Sequence, residues 1–244
     1  MADFSTAANP YWADFPQTYR AEEVQRIARW LASGESGIVV GVSGAGKSNL
    51  IGFVASQPAV VSSHLPASRT PILLLHFDVN SLPLLSTHSL FRGLLFTLQQ
   101  AVQTGHPGLK DEIDHLLEHS KGREDDFTLF MTLQAAHRSI IRQSGVTIVW
   151  LLDRFDEACS KLEAQSLNSL RNLRDQFRGK LCFVIATRQP LERLRDLRQI
   201  DEFYEIVAGN VCWVGPMGER DCRWIAGQMA ERLHTTFPEA AIVR

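Results

Sequence analysis

Eight residues at positions 41–48, GVSGAGKS, carry the clearest chemical signal in the sequence. They match the pattern GxxxxGK[ST], in which glycines let backbone N–H groups approach phosphate oxygens. Lys47 is expected to reach the β- and γ-phosphates of a nucleotide, and the Ser48 hydroxyl to bind Mg²⁺. The alternative is a glycine-rich turn that matches by chance. The predicted phosphate-binding residues are Gly41, Ser43, Gly44, Ala45, Gly46, Lys47, Ser48 and Asn49.

A group of acidic residues follows an apolar run at positions 146–152, which has the pattern of a buried strand. Asp153 comes at the end of this strand, where parallel strands open onto a ligand crevice, and we expect it to bind Mg²⁺. Glu157, or alternatively Asp156, is expected to accept a proton from an attacking water. A different interpretation is that Asp156 and Glu157 only cap the next helix.

Two polar residues end another apolar run, at positions 181–186. Beside the phosphates, Thr187 is predicted to hydrogen-bond water and Arg188 to sense the γ-phosphate. A solvated arginine at the end of a strand is the alternative.

Apolar runs alternate with segments of helical periodicity along the whole chain, and this order predicts an α/β fold. The predicted strands end in or near the candidate residues and lie at positions 38–40, 71–79, 146–152, 181–186 and 211–214. Strands alternating with helices favour a parallel sheet covered by helices on both faces. An ordered, irregular arm is predicted at 9–18, a surface insertion at 105–126 and a helix at 219–233.

Composition limits the classes of function. The formal net charge of −2 gives no overall basic field, so nucleic acid is not indicated as a partner. The apolar run at 148–152 is far shorter than the roughly 18 residues of a membrane span, and the first fifteen residues do not resemble a signal peptide. We therefore expect a soluble cytoplasmic protein without membrane contact. Its four cysteines, without CxxC spacing, favour reduced thiols.

Two further patterns have simpler explanations. His115 and His119 lie in an HxxEH match, which we interpret as an exposed amphipathic helix because the zinc peptidases that carry this pattern need a third ligand. Arg171, Arg174 and Arg178 have helical spacing and are interpreted as a solvated helix face, with an arginine finger for a neighbouring subunit as the alternative.

The ordered motifs resemble the STAND class of P-loop ATPases, relatives of the AAA+ proteins, and are most similar to the NACHT and NB-ARC groups. The resemblance covers most of the chain from about Tyr19 and is carried by four segments: the P-loop, LLDRFDE at 151–157, which is similar to an extended Walker B pattern, ATR at 186–188 and WVGPM at 213–217. One departure is Arg154, which stands where NACHT proteins usually carry a small residue.

The resemblance implies a three-layer P-loop NTPase fold with a five-stranded parallel sheet of order 5-1-4-3-2. It implies that Pro216 lies against adenine and that the ligands are ATP or ADP with Mg²⁺. It further implies a slowly hydrolysing regulatory switch that signals through self-association or an effector. The preference for ATP over GTP depends on this resemblance alone.

The expected organisation has three parts: an N-terminal arm at 1–18, a nucleotide-binding domain at 19–216 and the start of a helical lid at 217–244. The chain could be a fragment or a stand-alone ATPase. Two other functions stay open at this point. One is a P-loop kinase that transfers phosphate to a small molecule, with the insertion as a lid. The other is an AAA+ ATPase that acts on DNA.

Overall fold

A computed structural model describes residues 4–5, 10–67, 70–105, 107–120, 122 and 125–238. Parts of the predicted arm, insertion and lid, including positions 239–244 of the lid, lie outside the described residues.

Six parallel strands form the central sheet. They are β1 (Phe4–Ser5), β2 (Gly37–Val40), β3 (Ile72–Asp78), β4 (Thr147–Asp153), β5 (Leu181–Thr187) and β6 (Val211–Trp213). Their order across the sheet is β1-β3-β4-β5-β2-β6, and all neighbours are parallel. With β2 to β6 counted as strands 1 to 5, the predicted order 5-1-4-3-2 is confirmed. β1 adds a two-residue strand beside β3 that the prediction lacked.

Helices connect the strands and flank the sheet. They are α1 (Pro10–Ala13), α2 (Ala21–Ser33), α3 (Lys47–Ser56), α4 (Pro58–Ser63), α5 (Thr87–Gly105), α6 (Lys110–Ser120), α7 (Asp126–Ser144), α8 (Asp156–Lys161), α9 (Ala164–Gln176), α10 (Leu191–Leu194), α11 (Asp201–Ala208) and α12 (Glu219–Leu233). Short 3-10 turns lie at Val79–Ser81, Pro107–Leu109 and Leu197–Gln199.

Alternate side chains of each strand enter two separate apolar layers, because successive residues of a strand point to opposite faces. Trp150 and Leu152 of β4 pack in the layer that contains α5, α7 and α9. Val149 and Leu151 of the same strand pack in the layer that contains α2 and α3. The predicted three-layer architecture is therefore confirmed, as is the prediction that Trp150 belongs to the core.

The polar insertion and the cysteines agree with their sequence interpretations. In the described part of the insertion, α6 buries Ile113 and leaves His115 and His119 exposed. The described residues contain no group of three or more candidate metal-ligating side chains, and they contain no helix able to span a membrane. All four cysteines are free, and only Cys222 is not fully buried.

A buried histidine joins α7 to the central strand. The Trp150 indole Nε1 donates to His137 Nε2 at 2.9 Å, so the other ring nitrogen, Nδ1, carries the proton and donates to the Leu133 carbonyl at 2.7 Å. His137 is completely buried, and this burial lowers the pKa of its imidazole to about 4. The ring is therefore neutral in the folded protein at neutral pH.

We predict that His137 makes the fold acid-sensitive. The unfolded chain binds a proton near pH 6.5 and the folded chain only near pH 4, so stability is lost as the pH falls between these values. At pH 5 the loss amounts to about 2 kcal/mol. Urea denaturation at pH 7 and pH 5 would measure it. His137→Gln should show a weaker pH dependence than the natural protein, whereas the exposed control His115→Gln should not. An equal pH dependence in His137→Gln would contradict the prediction.

Candidate functional site

The segment between β2 and α3 is shaped as a phosphate cradle. A Cβ on Gly41 would lie 2.6 Å from the Val214 carbonyl oxygen, so only glycine fits there. Gly44 and Gly46 adopt φ values of 82° and 88°, which L residues with side chains rarely adopt. α3 begins immediately afterwards at Lys47, and the N-terminus of a helix attracts anions through its free N–H groups. The predicted phosphate cradle therefore has the backbone it needs.

A cleft of about 440 Å³ opens at the cradle. It brings together most of the predicted site residues and adds Asn80 and Arg154. Its lining consists of Ser43, Gly44, Gly46, Lys47, Ser48, Asn49, Asn80, Asp153, Arg154, Asp156, Glu157 and Arg188. The volume lies within the range of ordinary small-molecule sites.

Lys47 folds back over the cradle. Its Nζ donates to the carbonyl oxygens of Gly41 at 2.6 Å and Val42 at 3.1 Å. Burial lowers the pKa of Lys47, while the carboxylates of Asp156 and Asp153 oppose this shift. A phosphate oxygen is a stronger partner for an ammonium group than a neutral carbonyl. Lys47 is thus placed to exchange these carbonyls for a phosphate.

The two residues predicted to hold Mg²⁺, Ser48 and Asp153, both line this cleft and carry side-chain oxygens. Asp153 ends β4 and is 3% exposed, and its Oδ1 accepts a hydrogen bond from the Arg154 backbone N–H at 2.8 Å. Ser48 lies in the first turn of α3. Mg²⁺ prefers oxygen ligands and often takes only one or two from the protein, with phosphate and water completing its shell. The oxygen atoms of Asp153 and Ser48 therefore match the ligand preference of Mg²⁺.

Arg188 links the two other acids. The buried Asp156 accepts the Arg188 backbone N–H at 2.5 Å and lies 3.5 Å from its Nε. Arg188 Nη2 also lies 3.4 Å from Glu157 Oε1, and Lys161 Nζ lies 2.6 Å from Glu157 Oε2. The bond to Lys161 holds the pKa of Glu157 below its usual value. The carboxylate of Asp156 thus binds Arg188 at the end of β5, and this arrangement does not favour the helix-capping alternative.

Four predicted residues lie outside the lining of the cleft: Gly41, Ala45, Thr187 and Pro216. Thr187 is completely buried, and its hydroxyl donates to the Gln189 carbonyl at 2.8 Å, so its placement differs from the predicted contact with water beside the phosphates. Gly41 and Ala45 contribute backbone to the cradle. Pro216 is exposed, and its contact with adenine stays a prediction.

Arg20 hydrogen-bonds to the cradle on the side away from the cleft. The sequence alone did not predict this role. Its side chain is almost fully buried, and Nη2 donates to the carbonyls of Ala45 at 2.8 Å and Gly215 at 3.0 Å. Its backbone N–H donates to Asp221 Oδ2 in α12 at 3.0 Å. An arginine before an amphipathic helix has no local pattern that distinguishes it from a solvated one. The role of Arg20 is recognisable only in the folded structure, where its hydrogen-bond partners come together.

The N-terminal arm also covers α3. The Trp12 indole packs so closely on Gly52 that a Cβ there would lie 2.3 Å from the ring. Trp12 Nε1 donates to Asn49 Oδ1, at the edge of the cleft, at 3.4 Å. The arm therefore contacts α3 through Trp12 at two residues, Gly52 and Asn49.

Comparison with known proteins identifies one family. The sequence model of the family described as Nephrocystin 3, N-terminal, matches residues 22–188, which include the cradle, the acids and Arg188. No curated protein sequence matches the chain significantly.

Solved structures share the fold at low sequence identity. ORC1 of Aeropyrum pernix, in complex with DNA, is 14% identical with a TM-score of 0.57, and the match covers 87% of this chain and 49% of that one. A Walker-type ATPase of Pyrococcus abyssi is 14% identical with a TM-score of 0.59, covering 95% and 65%. Cdc6p of Pyrobaculum aerophilum is 12% identical with a TM-score of 0.55, covering 92% and 52%. The chain spans between about half and two thirds of these structures.

These likenesses show a P-loop NTPase fold related to AAA+ proteins. The expectation from net charge that nucleic acid is not indicated is not borne out, because a protein with this fold has been solved with DNA.

We predict that Arg20→Ala weakens both the fold and the cradle. The Ala45 and Gly215 carbonyls, which are partly buried at these bonds, would lose a charged donor, at a cost of about 2 kcal/mol. Thermal denaturation would measure this loss, and titration with fluorescent ADP would measure a lower affinity. Arg29→Ala is the matched control, because Arg29 lies on α2, which Arg20 precedes, and bonds only to the exposed Gln25 in the described contacts. Equal stability of the two variants would contradict the role of Arg20.

Proposed function

This chain belongs to the Nephrocystin 3 N-terminal family, and we propose that it is a Mg²⁺-dependent ATP-binding switch of the STAND type. It would hydrolyse ATP slowly and signal by a nucleotide-dependent change of conformation or self-association. The observation that carries the proposal is the position of Arg188, which pairs with Asp156 and Glu157 in the same cleft as the cradle.

Arg188 gives the cleft a way to distinguish ATP from ADP. Its guanidinium contacts two carboxylates, and its side chain is still 57% exposed. A γ-phosphate would offer it a more strongly charged partner, which ADP does not offer. A ligand shifts a conformational equilibrium only through a difference in affinity for the two states, and this exchange of partners would supply that difference.

The chain's own residues would hold the nucleotide as follows. Backbone N–H groups of the cradle and Lys47 would bind the phosphates. Ser48 and Asp153 would hold Mg²⁺, which would supply positive charge to the phosphate oxygens. Pro216 would contact the adenine, and the segment at 217–244 would begin a lid over it.

Glu157 is the better candidate for the base, and its pairing supports slow hydrolysis. Its side chain is 32% exposed in the cleft, whereas the Asp156 side chain is 5% exposed and binds the Arg188 backbone. A carboxylate with a lowered pKa accepts protons weakly. Water activation would therefore be inefficient until Glu157 leaves Lys161 and Arg188.

A second candidate function is an ATPase that acts on DNA. It is favoured by the shared fold with a protein solved in complex with DNA. Stimulation of ATP turnover by added DNA would support it over the switch.

We predict that Lys47→Ala abolishes nucleotide binding. The variant loses the only cradle side chain expected to pair with the β- and γ-phosphates, so affinity for Mg²⁺-ATP should fall by about a hundredfold or more. Calorimetric titration with ATP and ADP would measure it, and nucleotide analysis of the purified natural protein should find retained ADP. Lys110→Ala on α6 is the control, because Lys110 is exposed and lies outside the cleft.

Unchanged ATP affinity in Lys47→Ala would overturn the proposal. Phosphate transferred to an added acceptor, in place of free phosphate, would instead indicate a kinase.

A further inference from the structure

Arg154 occupies a backbone position that suits glycine. Its φ is 54°, in the left-handed region, where a side chain costs free energy and glycine costs none. The residue follows Asp153 directly, and its backbone N–H bonds to the Asp153 carboxylate. Strained residues of this kind cluster at functional sites. The strain at Arg154 therefore points to a function of its side chain.

The guanidinium of Arg154 lies in the nucleotide cleft and is loosely held. Its Nη1 lies 3.2 Å from Asp78 Oδ2, and the two side chains are 51% and 32% exposed. Exposed ion pairs of this kind contribute little to stability. Asp78 and Asp153 are opposite each other at the ends of β3 and β4, which pair in register from Ile72 and Thr147 onward. The two strands thus do not need the ion pair to hold them together.

The charges of the cleft leave Arg154 available for phosphate. Arg188 pairs with two carboxylates, whereas Arg154 pairs with Asp78. Asp153 is the predicted ligand of Mg²⁺. Lys47, Arg154 and Arg188 are the lysine and arginine side chains in the lining of the cleft. A guanidinium binds phosphate through two parallel hydrogen bonds, which a single contact with Asp78 does not match.

We propose that Arg154 is a second phosphate-binding arginine, which leaves Asp78 and binds the terminal phosphate of ATP. In the absence of ATP, Asp78 holds the side chain at the edge of the cleft. The role rests on the proposed nucleotide-binding function. It gives this chain two arginines that respond to the γ-phosphate, one after β4 and one after β5.

The test compares the affinities of Arg154→Gly for a non-hydrolysable ATP analogue and for ADP, each with Mg²⁺, by calorimetric titration. Affinity for the analogue should fall by about tenfold, while affinity for ADP should stay within about twofold. The melting temperature of the nucleotide-free protein should stay equal or rise, because glycine relieves the left-handed strain. Asp78→Asn should bind the analogue more tightly than the natural protein, since it releases Arg154.

Arg198→Ala is the matched control, because Arg198 is 89% exposed and pairs with Asp196 outside the cleft. A lower melting temperature of Arg154→Gly with equal losses for both nucleotides would show a structural role only and overturn the inference. Unchanged affinity for the analogue would also overturn it while leaving the proposed function intact. If the natural protein bound neither nucleotide, both proposals would fail.

Discussion

Parallel pairing of β2 with β5 and of β5 with β4 brings three strand ends to one edge of the sheet, and the whole cleft depends on this alignment. Lys47 follows β2, Arg188 follows β5 and Asp153 ends β4. These groups are far apart in the sequence and have no local reason to meet. Main-chain hydrogen bonds in the middle of a buried sheet are also the part of the structure that opens least readily. The strands at the base of the cleft are therefore rigid, and conformational change is confined to the side chains and loops that surround it.

The cradle has support on its other side from Arg20, the residue that precedes α2. Arg20 bonds to the P-loop at Ala45 and to the turn after β6 at Gly215, while its backbone bonds to Asp221 of α12. A shift in the cradle on nucleotide binding would act directly on these bonds. The start of α2 and the start of α12 are thus linked to the cradle through Arg20, although neither lines the cleft.

Local periodicity predicted five of the six described strands and the α12 boundaries, and the family resemblance carried by short motifs predicted the strand order. Lys47, Asp153 and Arg188 were predictable because each ends or follows an apolar run. Asp78 could have been found by the same rule. Arg20 could not, because its carbonyl partners lie 25 and 195 residues away in the sequence. The positive φ of Arg154 was also hidden, since an arginine gives no sign of a glycine-like backbone.

Because the other three cysteines are buried, a thiol reagent can label α12 selectively at Cys222. Burial raises the pKa of Cys159 and Cys182 to about 12 and that of Cys212 to about 11, so these thiols carry almost no reactive thiolate at neutral pH. Cys222 is the partly exposed cysteine and is adjacent to Asp221. A maleimide dye would therefore attach selectively at Cys222 without any engineered cysteine. Its fluorescence would report on the helix that Arg20 ties to the phosphate cradle.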